Sequence, residues 1–291
     1  MSPTRRTRPL VSAGRLAQVM AENGRPPVLL DARWKLGEPS QRAEYDRAHL
    51  PGAQWIEFED VLSGAPGEGG RHPMPDRMVF EAAMQAAGVD EDHPVVIYDQ
   101  ANSLAASRAW WLLKYFGHND VHVLDGGLDA WVRAGQELTD VVNDIAPGNF
   151  VATPGCTSLL LAEEAADVAY RSVLLDARPA DRFRGENEVI DPVAGHIPGA
   201  VSMPALVNVR ADGRFLPSDD LAMRFTAAGI RPDSEVGVYC GSGVQATHLA
   251  LALEDSGLQT RTGVYIGSWS HWITDPERPV STGSEGVTAG L

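Results

Sequence analysis

Val28-Leu29-Leu30-Asp31-Ala32-Arg33 recurs unchanged as Val173-Leu174-Leu175-Asp176-Ala177-Arg178, 145 residues further on. Three more blocks repeat in the same order. Ala48-His49-Leu50-Pro51-Gly52-Ala53 returns as Gly195-His196-Ile197-Pro198-Gly199-Ala200, residues 95–99 return as 236–240, and residues 123–131 return as 264–272. Four matching blocks in one order mark a domain duplicated in tandem. The length of 291 residues independently predicts two domains of ordinary size.

Within each copy, short Val/Ile/Leu runs alternate with amphipathic stretches such as residues 107–116 and 246–255. Continuous apolar strands separated by helical patterns predict a parallel sheet buried on both faces. The expected fold is therefore α/β: two tandem three-layer units, each a mostly parallel sheet flanked by helices. Pro147, Gly148, Pro154 and Gly155 mark residues 142–157 as a linker, which gives domains at 1–141 and 158–291. Cys156 falls in that linker and is assigned no chemistry.

The other cysteine is placed differently. Cys240 follows the apolar run Glu235–Tyr239 and opens the loop Cys240-Gly241-Ser242-Gly243-Val244-Gln245, beyond which a helix begins. Strand, tight glycine loop and helix in that order aim several backbone N–H groups at the sulfur, and such a setting favours a thiolate nucleophile able to carry an anionic adduct. The corresponding position of the first copy holds Asp99, a carboxylate in place of the thiol.

Composition bounds the rest. With 44% hydrophobic and 22% charged residues the chain has material for sizeable cores and is not of the disordered class. A net charge of −15 argues against nucleic acid and anionic membranes as partners. Two cysteines are too few for a disulfide framework and form no CxxC pair, so a reducing cytoplasm is the expected compartment. Residues 1–10 carry Arg5, Arg6 and Arg8 with no apolar stretch of signal-peptide length behind them, and read as a short frayed tail. No window is apolar for long enough to span a bilayer. No ligand cluster or nucleotide-binding glycine motif is present, so no metal or cofactor is expected.

Taken together, Asp31-Ala-Arg-Trp34, Gly70-Arg-His-Pro-Met-Pro75, Leu124-Asp-Gly-Gly127, Arg182-Phe-Arg-Gly185, the two His-x-Pro-Gly-Ala blocks, Cys240-Gly-Ser-Gly-Val244 and Gly267-Ser-Trp-Ser-His-Trp272 resemble the two-domain rhodanese-like sulfurtransferases over nearly the whole chain. The resemblance implies that the second domain carries the nucleophile and that the first is an inactive copy shaping the cleft. It also implies a monomer, and a double displacement in which Cys240 takes a sulfur from a small donor and passes it to cyanide, a small thiol or a thioredoxin-like protein. Members preferring thiosulfate place basic side chains directly after the cysteine. Those acting on 3-mercaptopyruvate show Cys-Gly-Ser-Gly-Val, as this chain does, so mercaptopyruvate is the expected donor and thiosulfate the alternative.

The same resemblance assigns roles. Gly241, Gly243, Val244 and Gln245 form the loop around the substrate, and Arg182 matches the family's carboxylate-binding arginine. A second arginine expected a few residues later is missing. Asp191 stands in its place, and Arg184 is the candidate to compensate. Ser242 is expected to act with His72, whose ordinary pKa suits proton transfer, and with a first-domain carboxylate, Glu59 in preference to Asp60. His49 and His196 recur in both copies, including the one without a cysteine, and are read as structural turn residues. Trp34 is expected to line the cleft, and Trp110, Trp111 and Trp272 to pack in the core. A cysteine phosphatase of similar architecture needs an arginine six residues after the cysteine, where this chain has Ala246. A non-catalytic binding module fits the first copy but not the retained Cys240.

Overall fold

The computed structural model describes residues 8–284. Two five-stranded sheets, all parallel, share one topology. In the first, strands β1 (Leu10–Val11), β2 (Val28–Asp31), β3 (Gln54–Trp55), β4 (Val95–Tyr98) and β5 (Val121–Leu124) lie in the order β1-β5-β4-β2-β3. In the second, β6 (Ser158–Leu159), β7 (Val173–Asp176), β8 (Val201–Ser202), β9 (Glu235–Tyr239) and β10 (Arg261–Val264) lie in the order β6-β10-β9-β7-β8. The chain leaves β2 toward one edge and β4 toward the other, as it does β7 and β9. Each sheet thus has a switch point between its two central strands, where a crevice opens at their carboxyl ends. Asp31 and Asp99 mark that place in the first sheet, Asp176 and Cys240 in the second.

The central strands read as unbroken apolar runs because both faces are covered, and β4 is buried at all four positions. Each repeated Asp-Ala-Arg block closes on itself. Asp31 holds Arg33 and Asp176 holds Arg178 through paired carboxylate–guanidinium bonds of 2.6–3.1 Å, so these fully buried carboxylates are compensated. His49 and His196 are buried, stack on Tyr45 and Phe183, and bond the carbonyls of those residues through Nδ1 at 2.8 Å. Their part is to fix the turn, as the repetition implied.

The two domains share a core. Helix Leu104–Tyr115 of the first packs against helix Val244–Asp255 of the second, and one apolar cluster runs through both, from Leu30 and Trp110 to Leu249 and Val264. Nearly every side of these helices is buried, which explains why neither shows a strong polar face. Trp110, Trp111 and Trp272 are core residues. Lys114 bonds Glu254 across the interface at 2.6 and 2.7 Å.

Two expectations change in detail. Residues 1–7 of the supposed frayed tail, with Arg5 and Arg6, lie outside the described residues. Arg8 is docked on the second domain, bonding Asp255 at 2.6 and 3.0 Å, and Leu10 begins β1. The stretch 142–157 is irregular but is laid against the first domain, with Phe150 buried beside Phe80 and its carbonyl accepting a bond from Gln85. Among the described residues no helix is long and apolar enough to cross a membrane.

Candidate active site

Cys240 sits where β9 ends and is 2% exposed. The Gly243 N–H donates to its sulfur at 3.1 Å, and helix Val244–Asp255 begins at the next residue, so the sulfur lies at a helix N-terminus. Gly243 has φ +87°, and a Cβ there would come within 2.5 Å of the Ile266 carbonyl oxygen. Only glycine closes this loop without strain.

Beneath the cysteine stands a residue that the sequence reading passed over. Ser268 Oγ accepts the Cys240 N–H at 3.0 Å, donates to the Tyr265 carbonyl at 2.8 Å, and lies 4.0 Å from the sulfur. Its φ is +54°, and its counterpart Gly127 has φ +56°. The cysteine-bearing copy therefore tolerates a left-handed serine where the other copy uses glycine, and gains a hydroxyl at the sulfur. The replacement of Gly127 by Ser268 between the repeats was the available signal.

In the first domain the Asp99 carboxylate fills the equivalent loop. It accepts backbone N–H bonds from Ala101, Ser103, Ala105 and Ala106 at 3.0–3.4 Å, and burial pushes its pKa up to about 6. The anion cradle is thus kept in both copies, occupied by a fixed carboxylate in one and by a cysteine in the other.

The first domain also reaches across to the second. His72 Nδ1 lies 2.8 Å from Ser242 Oγ, and both residues are buried. Glu59, carried on the short π-helical turn Phe58–Leu62, accepts a 2.8 Å bond from the Trp34 indole and stands 3.8 Å from His72 Nε2. Asp60 makes no contact with this group among the described bonds. Burial, reinforced by the positive charges of Arg108 and Arg71, pushes the His72 pKa down to about 4. The expectation of an ordinary titration near neutrality is therefore corrected: at pH 7 this imidazole is neutral, with one ring nitrogen to donate and one to accept.

Arg182 lies beside the loop, and its partners differ from those sought. Glu188 and Asp191 accept from its guanidinium at 2.8–3.1 Å. Asp191 in turn accepts from Arg71 of the first domain at 2.7 Å. One buried carboxylate thus clamps two guanidinium groups side by side. Both reach the loop: a Cβ on Gly241 would lie 3.6 Å from Arg182 Nη1, which bonds neither carboxylate, and 3.2 Å from Arg71 Nη2, which also makes a long 3.5 Å bond to Asp191. Arg71 thus brings a second guanidinium to Asp191 from the other domain. Arg184 does not take that part. It pairs with Glu186 at 2.6 Å and is absent from the cleft lining.

These residues border a cleft of about 540 Å³ between the domains. Trp34, Leu36 and Ile190 give it apolar walls, and Cys240, Gly241, Ser242, Val244 and Gln245 lie along one side. Asp99 reaches the same cleft. Cys156 is exposed and remote from it. The arrangement offers a buried sulfur held by an amide and a hydroxyl, a neutral histidine joined to a serine next to that sulfur, and two guanidinium edges aimed at the intervening glycine.

The model of the Rhodanese-like domain matches residues 12–134 and again 159–275. The chain is 45% identical over 282 residues to a probable 3-mercaptopyruvate sulfurtransferase of Pseudomonas aeruginosa, covering 94% of this chain and 98% of the relative. It is 41% identical over 283 residues to a putative thiosulfate sulfurtransferase of Mycobacterium tuberculosis, covering 94% and 97%. Its fold is similar to the crystal structure of SseA from Escherichia coli, described with the mechanism of 3-mercaptopyruvate sulfotransferases, with a TM-score of 0.79, 31% identity, and coverage of 91% of this chain and all of that one.

Proposed function

The chain belongs to the two-domain rhodanese-like sulfurtransferases and is a sulfurtransferase of the 3-mercaptopyruvate type; we propose that the sulfur passes through a persulfide on Cys240, with domains divided at 1–141, 142–157 and 158–291. The observation that carries this reading is the hydrogen bond between His72 and Ser242 beside a cysteine whose loop bears no cation.

The Cys240 thiolate attacks the donor's sulfur, the donor's carbon–sulfur bond breaks, and its electron pair is left on carbon as the enolate of pyruvate. The proton of the donor thiol goes to that carbon, giving pyruvate and the Cys240 persulfide anion, so charge and atoms balance. Ser242 donates toward the carbonyl oxygen that becomes the enolate, and neutral His72 holds the serine and carries the proton. Glu59 orients His72 from a distance and through Trp34. The substrate carboxylate rests over Gly241 between Arg182 and Arg71, where planar guanidinium edges give parallel charge-assisted bonds. The amides of Gly243 and the helix start receive the persulfide, and Val244 and Gln245 wall the cleft. A small thiol, cyanide or a thioredoxin-like protein then removes the sulfur. Two unpaired cysteines fit a reducing cytoplasm, where the chain acts as a monomer with its cleft built from its own two domains.

The test is a comparison of kcat/KM for mercaptopyruvate and thiosulfate with one acceptor. A higher value with mercaptopyruvate is expected. A higher value with thiosulfate would reassign the donor, since the two arginines would then serve a different anion.

A further inference from the structure

Arg108 occupies the fifth position of helix Leu104–Tyr115, is 0% exposed, and belongs to the domain without a cysteine. Its Nε donates to the Leu62 carbonyl at 3.0 Å and its Nη2 to the carbonyls of His72 and Pro73 at 3.1 and 2.9 Å. No carboxylate lies within ion-pair distance of it among the described residues. Its Nη1 has no hydrogen-bond partner there and points at the start of the partner domain's helix, 2.9 Å from where a Cβ on Gly243 would be. Gly243 is the residue whose N–H meets the Cys240 sulfur.

A full positive charge enclosed by carbonyl oxygens is costly unless an anion shares its surroundings. We propose that Arg108 is the counter-charge of the Cys240 sulfur, a cation supplied by the first domain from beneath the second domain's loop, which stabilises the thiolate and the persulfide anion that replaces it. The inference rests on Cys240 being the nucleophile. Burial draws the pKa of Arg108 down to about 10, and the charge that acts in the opposite sense is that of Cys240. Other ionisable groups near the loop are Arg71 and Arg182, both already clamped by Asp191; His72, which is neutral; and, across the cleft, Asp99, held by four backbone N–H groups of its own loop and unchanged in every variant compared.

The pseudo-symmetric position supports the assignment. The fifth residue of helix Val244–Asp255 is His248, fully buried, stacked on Phe215, and placed against the backbone of Asn102 in the Asp99 loop. Burial pushes its pKa down to about 4, so it carries no charge at pH 7. Each domain thus inserts one side chain under the other's loop. The loop that keeps a permanent carboxylate receives a neutral ring, and the loop whose anion must form and persist during a reaction receives a guanidinium.

The experiment uses the full chain with Cys156→Ser, so that Cys240 is the one thiol, and follows the rate of its alkylation by iodoacetamide against pH. Arg108→Gln keeps donors for the carbonyls and removes the charge. Its profile should move up by about one to two pH units, which lowers the rate about ten- to a hundredfold at pH values below the parent's midpoint. Arg108→Lys keeps the charge and loses the fork of bonds, so it should melt at a lower temperature yet keep its profile within about half a unit of the parent. A folded Arg108→Gln whose profile overlays the parent overturns the proposal, because Arg108 would then only gather the carbonyls. If Arg108→Gln does not fold, Arg108→Met, which also removes the charge, decides by the same reading: an upward shift of about one unit or more supports the counter-charge and a profile that overlays the parent overturns it. Absence of persulfide in the parent would instead refute the nucleophile assignment, and is measured separately.

Discussion

Ser242 Oγ and His72 Nδ1 are 2.8 Å apart although 170 residues separate them in the chain. Both are buried, so the bond is made inside the domain interface, with Ser242 at the edge of the cleft. If the pair works as one unit, His72→Ala and Ser242→Ala each lower the rate with mercaptopyruvate, and the double variant is scarcely slower than either. Additive losses in single-turnover rate would show the bond to be structural.

Arg71 and Arg182 both lie beside Gly241 while Asp191 bonds the two guanidinium groups at once. Replacing either by alanine should raise the mercaptopyruvate KM about ten- to a hundredfold, the range of a lost charge-assisted bond. The thiosulfate KM should rise less. Equal increases with both donors would show that these arginines order the cleft rather than read the carboxylate.

Ser268 is held in the left-handed region by the bonds of its hydroxyl. Ser268→Gly relieves that backbone cost, about 1 kcal/mol, while losing bonds of similar worth. Stability should therefore change by no more than about 1 kcal/mol, with sulfur transfer severalfold slower. An unaltered rate would remove Ser268 from the support of Cys240.

His72 also has a signature in stability. Its pKa in the folded protein is about 4, below the value near 6.5 of an exposed histidine, so protons bind the unfolded chain first. Stability is full above about pH 6.5 and falls as the pH drops toward 4. His248 adds to this fall, while Asp99, raised to about 6, opposes it. The difference between parent and His72→Gln isolates His72. Denaturant unfolding should show it moving in favour of the variant by on the order of 3 kcal/mol between pH 7 and pH 4. A difference independent of pH would mean that His72 titrates normally.

The sequence was informative where chemistry is local. The repeat of Val28–Asp31 at Val173–Asp176 predicted two like parallel sheets, and the loop after β9 singled out Cys240 and its glycines. The resemblance led to His72 and Ser242, which the structure brings together. What could not be read depends on how the domains dock. Arg71 meets Asp191 across 120 residues, and Arg108 reaches Gly243 through a helix pair that only the folded interface aligns. Along the chain the arginine nearest to Asp191 in the same block is Arg184, which pairs with Glu186 instead. The cation came through space from the other domain. Asp191 is the part that helps explain both, since its carboxylate fixes the two guanidinium groups at once.

The central claim is that sulfur is carried on Cys240. Mass spectrometry of the full chain after exposure to mercaptopyruvate and removal of excess donor, with peptide mapping, tests it directly. One added sulfur, on the peptide containing Cys240, lost on treatment with cyanide and absent from Cys240→Ser, is the predicted result. Sulfur on the Cys156 peptide, or none on the protein while pyruvate still forms, would contradict the account.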